Sequence, residues 1–278
     1  MPGFDTPEPI SATLEFEVGS ARIIASKRTD TVVEVSPTDN TEGADVRAAE
    51  LTKVTCSDGR LLVKGPKKRS LFGRSGSIDV RVELPAGSDV QGTSPLADYT
   101  CTGLLGDCRL KTSIGDVRVA EARTVYLKTD HGDIHLERAT GDTEVFGAGR
   151  IEVGRIAGAV TTKNVNGETT IGEVTGDLRA KSSNGRISIG VAHAGVDAKS
   201  AHGGIRVGEV ARGRIVLQTA AGDLEVGIRE STSAWLEVNT RLGSVRNALE
   251  SSESPGAAKE KVEVRARTAV GDIVIRRA

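Results

Sequence analysis

The chain has 278 residues, of which 27% are charged, 37% hydrophobic and 3% aromatic, and its formal net charge is −1. A net charge this close to zero excludes a strong overall field that would draw the protein to nucleic acid or to a membrane surface. The scarcity of aromatic residues argues against a single-strand binding surface built by stacking bases on rings, and no apolar run reaches the roughly 20 residues that a membrane-spanning helix needs.

The first nine residues are rich in proline, and they have no basic start and no apolar run. Both features are typical of a signal peptide, so we expect a disordered tail over residues 1–9 and a cytoplasmic location. The three cysteines, Cys56, Cys101 and Cys108, have no metal-ligand spacing. The sequence therefore predicts no metal site and no cofactor.

Residues 10–84 carry short alternating segments that predict an antiparallel β capping region. A polar stretch over residues 44–51 predicts a short helix, and Ser57-Asp-Gly between two apolar runs predicts a hairpin. The basic run over residues 67–74 is too short to indicate nucleic-acid binding, and we interpret it as a solvated loop.

A repeat dominates the rest of the chain, from about residue 98 onward. Its glycines stand 17 to 19 residues apart, at Gly115, Gly132, Gly149, Gly167, Gly185, Gly203 and Gly222, and then with wider gaps at Gly243 and Gly271. The second and fourth residues after each of the first seven glycines are aliphatic in 13 of 14 cases, with a polar residue between them. A similar half-repeat lies about nine residues upstream, and four residues without a pattern complete the unit. Such alternation is typical of a strand with one buried face.

Two short strands per repeat leave no room for helical crossovers, so the pattern predicts a parallel β-solenoid over residues 85–278. We expect about 18 residues per coil, two strands in each coil, and a surface loop over residues 248–260. An antiparallel meander is the alternative, because Asn-Gly at residues 166–167 and 184–185 is a hairpin signal.

The segment Val80-Arg-Val-Glu-Leu-Pro-Ala-Gly-Ser-Asp-Val90 and units such as Leu110-Lys-Thr-Ser-Ile-Gly-Asp-Val-Arg-Val119 resemble a bacterial β-strand-repeat family known as "putative adhesins". The similarity covers about residues 78–275. It implies a β-helix-like, non-catalytic domain, and it implies no active-site residues.

Lysine recurs four residues before the major glycine, and this column is the candidate binding site. Its members are Lys111, Lys128, Lys163, Lys181 and Lys199. Stacked coils would hold these ammonium groups about 5 Å apart, where like charges repel unless they spread into water. We therefore weigh three roles for the column: a solvated ladder, a strip that binds a polyanion, and a contact for a protein partner.

Aspartate follows many turn glycines, and Asp116 and Asp133 would lie one coil apart, a spacing suggestive of a pair of glycosidase carboxylates. Aspartate at a corner also accepts backbone N–H bonds, and an exposed corner offers no pocket to raise a carboxyl pKa. We therefore expect a turn role for these residues and no enzymatic activity.

The sequence favours a non-catalytic β-solenoid scaffold that interacts with an unknown protein partner. The alternatives are a cytoskeleton-like protein that associates with itself and a polyanion-binding module. We expect any self-association to use the C-terminal coil, with Ile273 and Ile275 at its uncovered end.

Overall fold

The computed structural model describes residues 2–66, 75–249 and 260–278. The predicted basic loop and residues 250–259 of the predicted surface loop lie outside this part of the chain. The chain forms two compact units, Met1–Ala139 and Thr140–Ala278, which we call unit 1 and unit 2.

In its described residues, unit 1 has one helix, α1 (Gly43–Leu51), and ten strands. The strands are β1 (Gly3–Asp5), β2 (Ser11–Glu15), β3 (Val18–Ser26), β4 (Asp30–Pro37), β5 (Lys53–Ser57), β6 (Arg60–Lys64), β7 (Ser77–Pro85), β8 (Asp89–Ile114), β9 (Val117–His131) and β10 (Ile134–Ala139). The helix falls where the sequence predicts it. No helix of the described residues is long and apolar enough to cross a membrane.

Unit 2 is built from strands alone as far as the structure describes it. These strands are β11 (Thr143–Gly147), β12 (Ile151–Ile156), β13 (Val160–Asn164), β14 (Thr169–Val174), β15 (Leu178–Asn184), β16 (Ile187–Ala192), β17 (Val196–His202), β18 (Ile205–Val210), β19 (Gly213–Ala221), β20 (Leu224–Ile228), β21 (Thr232–Leu242), β22 (Val245–Asn247), β23 (Glu260–Val270) and β24 (Ile273–Arg277).

The strands of unit 2 stack in parallel, each on the equivalent strand of the next repeat. β11, β13, β15, β17 and β19 form one sheet, and β12, β14, β16, β18 and β20 form the other. One repeat is therefore one coil, as the sequence predicts. The parallel pairing rules out the antiparallel meander.

The solenoid core consists of the predicted inward columns and a third column that the sequence analysis missed. All 14 of the predicted positions after the major glycines are buried. The third column follows within the stretch that we took to have no pattern, and each of its members is at most 1% exposed: Ile156, Val174, Ala192, Val210 and Ile228. The interpretation of those four residues as patternless was wrong.

A second glycine ladder explains why this column was hidden. Gly172 is followed by a second outward residue, Glu173, before Val174 turns inward, so the alternation breaks at the glycine. A Cβ on Gly172 would stand 2.7 Å from the carbonyl oxygen of Gly154, and a Cβ on Gly190 would stand 2.4 Å from that of Gly172. The stacked strands therefore bend where only glycine fits.

The corners are tied together by side-chain hydrogen bonds between coils. The hydroxyl of Thr219 donates to the carbonyl oxygen of Gly203 at 2.9 Å. The carboxylate of Asp116 accepts the N–H of Asp133 at 2.9 Å. The predicted hydrogen-bonding role of the corner aspartates is confirmed, and the partner is the next coil rather than the aspartate's own turn.

The first coil of unit 1 lies inside the stack rather than at its end. β2 pairs in parallel with β6 on one side and with the start of β8 on the other, while β3 lies between β7 and β8 in the same way. Parallel stacking thus extends into the predicted capping region. The antiparallel capping strands are present beside it, with β4 on β7, β1 on β4, and the predicted β5–β6 hairpin.

The last coil of unit 2 likewise lies between two other segments of the chain. β23 lies between β19 and β21, and β24 lies between β20 and β22, all in parallel. Ile273 and Ile275 are consequently 0% exposed. The expectation that these two residues form the uncovered end was wrong, because an earlier segment, β21 and β22, takes the outer position.

Acid is expected to destabilise the protein through its paired surface carboxylates. Hydrogen bonds from His193 and Arg155 lower the pKa of Glu173, and the backbone N–H of Ser244 lowers the pKa of Asp272. Both pKa values are lower in the folded protein than in the unfolded chain, where they are 4.5 for Glu173 and 3.8 for Asp272. The ionised carboxylates therefore stabilise the fold fully above these unfolded-state pKa values, and this stabilisation is lost as the pH falls through the folded-state pKa values.

We therefore expect these two carboxylates to change the unfolding temperature little at a pH above their unfolded-state pKa values. The unfolding temperature should drop as the pH falls below those values. Thermal melts followed by circular dichroism would measure this. The Glu173→Gln variant should show a smaller acid-induced drop than the wild type. A wild-type melting temperature that rises toward pH 3 would contradict the assignment.

Candidate ligand-binding groove on the lysine face

The predicted lysines stand in register on stacked strands, three of them in unit 2 and two in unit 1. Lys163, Lys181 and Lys199 occupy directly neighbouring positions on β13, β15 and β17 of unit 2. Lys111 and Lys128 are register partners on β8 and β9 of unit 1. We call the outward surface of β13, β15, β17 and β19 the lysine face.

Most lysines of the column have a neighbour that holds or screens the charge. The Nζ of Lys111 lies 5.1 Å from the ring centre of Tyr126, and that of Lys163 lies 5.5 Å from the ring centre of Phe146. Lys128 pairs with Asp130 at 3.4 Å, and Lys199 pairs with Asp197 at 3.7 Å. Both pairs are at the surface and longer than a hydrogen bond, so each contributes little to stability.

Lys181 differs from its neighbours in the column. Its side chain is exposed and makes no ion pair, hydrogen bond or ring contact within the described residues. It lies between Lys163 and Lys199 in the sheet. Three ammonium groups therefore stand in one row, and the middle one makes no ion pair with any residue that the structure describes.

A groove of about 700 Å³ runs across the lysine face beside this row. Its floor comes from neighbouring strands of one sheet, so it crosses the coils rather than following one strand. It is lined by Ala159, Val160, Thr161, Asp177, Leu178, Arg179, Gly195, Val196, Asp197, Lys199, Gly213, Arg214, Val216 and Gln218. Lys199 belongs to both the groove and the predicted column, whereas the other groove residues were not predicted.

Asp197 is the central charged group of the groove. Its carboxylate oxygens lie 3.9 Å from Nε of Arg179 and 3.7 Å from Nζ of Lys199, which is too far for a hydrogen bond. One of them, Oδ1, is buried and accepts no hydrogen bond from the described residues. The other, Oδ2, leaves the side chain 35% exposed in the groove, between exposed Arg179 and half-exposed Lys199.

The corner aspartate of the groove, Asp177, is already engaged. Its Oδ1 accepts the backbone N–H of Gly195 at 3.1 Å. At another corner, in unit 1, Asp116 accepts the N–H of Asp133 with one oxygen and an N–H of Arg118 at 2.9 Å with the other. Of the two carboxylates that the sequence offered as possible catalytic groups, Asp116 therefore serves as a structural acceptor.

The lysine face is more positive than the sheet on the other side of unit 2. The outward residues of its four strands comprise five cations, Lys163, Arg179, Lys181, Lys199 and Arg214, and one carboxylate, Asp197. The four strands β12, β14, β16 and β18 carry two cations, Arg155 and Arg206, and three carboxylates, Glu152, Glu173 and Glu209. A chain with almost no net charge thus concentrates positive charge on one surface.

Solved bacterial structures resemble this chain over nearly their whole length at low identity. A "putative cell adhesion protein" from Clostridium sporogenes is 12% identical, with 100% of this chain and 98% of that chain covered and a TM-score of 0.26. A "putative adhesin" from Bacteroides fragilis is 13% identical, with 99% and 95% covered and a TM-score of 0.41. Another "putative adhesin", from Parabacteroides merdae, is 11% identical, with 99% and 94% covered and a TM-score of 0.32.

No curated protein matches the sequence. The family model described as Toastrack DUF4097 matches residues 14–276, which is most of both units. The repeated glycines, the buried aliphatic columns and the parallel coils are therefore those of a Toastrack β-solenoid, and the chain belongs to that family.

Proposed function

We propose that this protein is a non-catalytic interaction scaffold that binds an acidic polypeptide segment on the lysine face of unit 2. The observation that carries the proposal is the groove around Asp197, whose lining includes three cations, Arg179, Lys199 and Arg214. Lys163 and Lys181 add positive charge on the same face. The cations would pair with acidic side chains of the segment, and Asp197 would accept an N–H from its backbone with Oδ2, because Oδ1 is buried.

The central carboxylate favours a polypeptide over a uniform polyanion. A phosphate or sulfate chain carries only acceptors along its length, so it would meet repulsion at Asp197. A polypeptide alternates N–H donors and carbonyl acceptors and can place a donor there. The second candidate, a polyanion bound along the lysine row, is favoured by Lys181, which makes no ion pair in the described part of the chain.

The test is binding of a fluorescent peptide of alternating glutamate and valine, measured by anisotropy. We expect affinity to fall as salt is raised, because exposed ion pairs are screened. Replacing Lys163, Lys181 and Lys199 together with glutamine should abolish binding. The matched control replaces Arg155, Arg186 and Arg206 with glutamine, which removes the same charge elsewhere in unit 2 and should leave most of the affinity intact.

The control variant distinguishes an effect of net charge from an effect of the lysine face. Equal losses in the two triple variants would show that only net charge matters and would contradict the proposal. The polyanion would be favoured if the wild type bound heparin more tightly than the peptide, and if the Asp197→Asn variant bound heparin more tightly than the wild type. If neither probe binds at low salt, the lysine face is a solvated surface.

A further inference from the structure

The outer strand of unit 2, β21, carries a row of side chains that is covered in the coils before it. Ala234, Leu236 and Val238 stand in register with Val262, Val264 and Ala266 of β23, which are at most 2% exposed. The three β21 side chains are themselves half-exposed. Within the described residues, the apolar cross-section of the solenoid is therefore uncovered at β21.

The backbone of β21 is also unpaired along one side within the described residues, since β23 is its one strand neighbour there. The carbonyl of Leu242 accepts the N–H of Gly271, so the even-numbered residues point their backbone groups back into the stack. In a parallel ladder the alternate residues point the other way. Trp235, Glu237, Asn239 and Arg241 thus direct N–H and C=O groups outward, over a strand of 11 residues.

We propose that β21 pairs with β21 of a second copy of this chain, antiparallel and centred on Val238. In this register the outward-pointing backbone groups of the two strands satisfy each other, and a two-fold axis passes between the two Val238 residues. Directly opposite residues of an antiparallel pair point to the same face, so the inward row of one copy continues that of the other.

The side chains select this register. Trp235 lies opposite Arg241 of the second copy, which gives a cation over a ring, and Glu237 lies opposite Asn239. Leu242 covers Ala234. Leu242, which is 69% exposed in one chain, gains a partner, and Trp235, 55% exposed with Arg265 of its own chain 5.8 Å from the ring centre, gains a second cation. Arg241 has no ion pair on its own chain within the described residues.

Neighbouring registers are less favourable. Centring on Glu237 would set the two Glu237 carboxylates directly opposite each other, which is unfavourable for like charges. Centring on Asn239 would place Trp235 opposite Gly243 and leave Ala234 without a partner in the strand. The register centred on Val238 avoids both.

Pairing with a second β21 is also favoured over pairing with the edges of unit 1. The edge strands there are β1, with 3 residues, and β5, with 5 residues, and Pro2 and Lys53 stand at their beginnings. Short edges with proline and lysine resist strand addition. A pair of β21 strands closes on itself, so the expected assembly is a dimer and not a filament.

The test is sedimentation equilibrium of the wild type and of Asn239→Pro. The N–H of Asn239 points away from β23, so proline removes a bond to the second copy and none within the chain. We expect the wild type to be a dimer and the variant to have a dissociation constant at least about tenfold higher, with an unchanged melting temperature in dilute solution. Asn239→Ala keeps the N–H and should remain dimeric.

Cross-linking tests the register. Val238→Cys in a Cys56→Ser background should form a disulfide between copies under mild oxidation, since directly opposite Cβ atoms lie about 4.5–5.5 Å apart. Ser188→Cys, on the surface of a central coil, should not. A wild type that stays monomeric at its highest attainable concentration, or an Asn239→Pro variant as dimeric as the wild type, would overturn the proposal. A dimer without the Val238→Cys cross-link would overturn the register.

The two proposals fail separately. The groove and the lysine row lie on β13, β15, β17 and β19, whereas the dimer contact uses β21 alone. Peptide binding by the Asn239→Pro variant would show that the lysine face works without the dimer.

Discussion

Replacing Gly185 with alanine is expected to destabilise the protein by about 3–5 kcal/mol, the range reached by substitutions that force backbone strain and a clash together. Gly185 has a φ of +134°, which side-chain-bearing residues rarely adopt, and an added Cβ would stand 2.0 Å from the carbonyl oxygen of Gly167. The neighbouring coil cannot move aside, because its own strands are hydrogen-bonded on both edges.

Two other glycines separate the causes. Gly190→Ala adds a clash, at 2.4 Å from the carbonyl oxygen of Gly172, without a positive φ, so it should cost less than Gly185→Ala. Gly43→Ala, in α1, meets nothing within 4 Å and should stabilise slightly, because alanine favours a helix over glycine. Chemical denaturation of the three variants would measure this order. Similar stabilities for Gly185→Ala and Gly43→Ala would mean that the coils are not stacked as described.

Replacing Ile187 with aspartate is the second change expected to have a large effect. Ile187 is 0% exposed and stands in the inward column between Thr169 and Ile205. A carboxylate there would be buried without a hydrogen-bonding partner, so it would either remain charged at a high cost or take up a proton. We expect a loss of at least about 3 kcal/mol, from the lost apolar burial and the buried polar group together.

Ser188 provides the matched position for this test. It lies one residue further along, on the outward side of β16, so Ser188→Asn should change the free energy of unfolding by less than about 0.5 kcal/mol. The stability of Ile187→Asp should also improve as the pH is lowered from 7 toward 5, because the buried carboxyl can then be protonated. Equal losses from the two substitutions would reverse the inward and outward assignment of the strand.

The regular coils could be predicted from the sequence because they follow a strict local rule. Each inward column, such as Ile187 with Ile205, repeats at the length of one coil, so periodicity alone reveals the parallel stack. The third inward column was missed because Gly172 breaks the alternation before Val174. A search for glycines at the same spacing, Gly154 to Gly172 to Gly190, would have found it.

The order of the outer coils could not be predicted in this way. The sequence does not determine whether β23 or β21 packs directly on β19, because both segments have the alternation of a solenoid strand. No local sign separates the two, because the inward row of β21 is as aliphatic as that of β23, and both strands carry charged residues on the outward side, such as Arg241 and Arg265. The repeat pattern alone predicts position along the chain, not position in the stack.

The candidate site was predicted in part for a similar reason. The row of Lys163, Lys181 and Lys199 follows from the period, and the register confirms it. The groove depends on Asp197, Arg179 and Arg214, which differ from one coil to the next and so leave no periodic signal. The contribution of these residues becomes visible only when the strands are side by side.

The internal placement of the first and last coils has a mechanical consequence. Tension that enters the chain at residue 277 pulls on β24, which is hydrogen-bonded to β20 on one side and to β22 on the other. An outermost strand would peel away along one ladder, but a strand held from both sides must shear two ladders together. Tension that enters near residue 11 meets the same arrangement at β2, between β6 and β8. We therefore expect each unit to yield to a pulling force first at its outer strands and only later at the strands to which the force is applied.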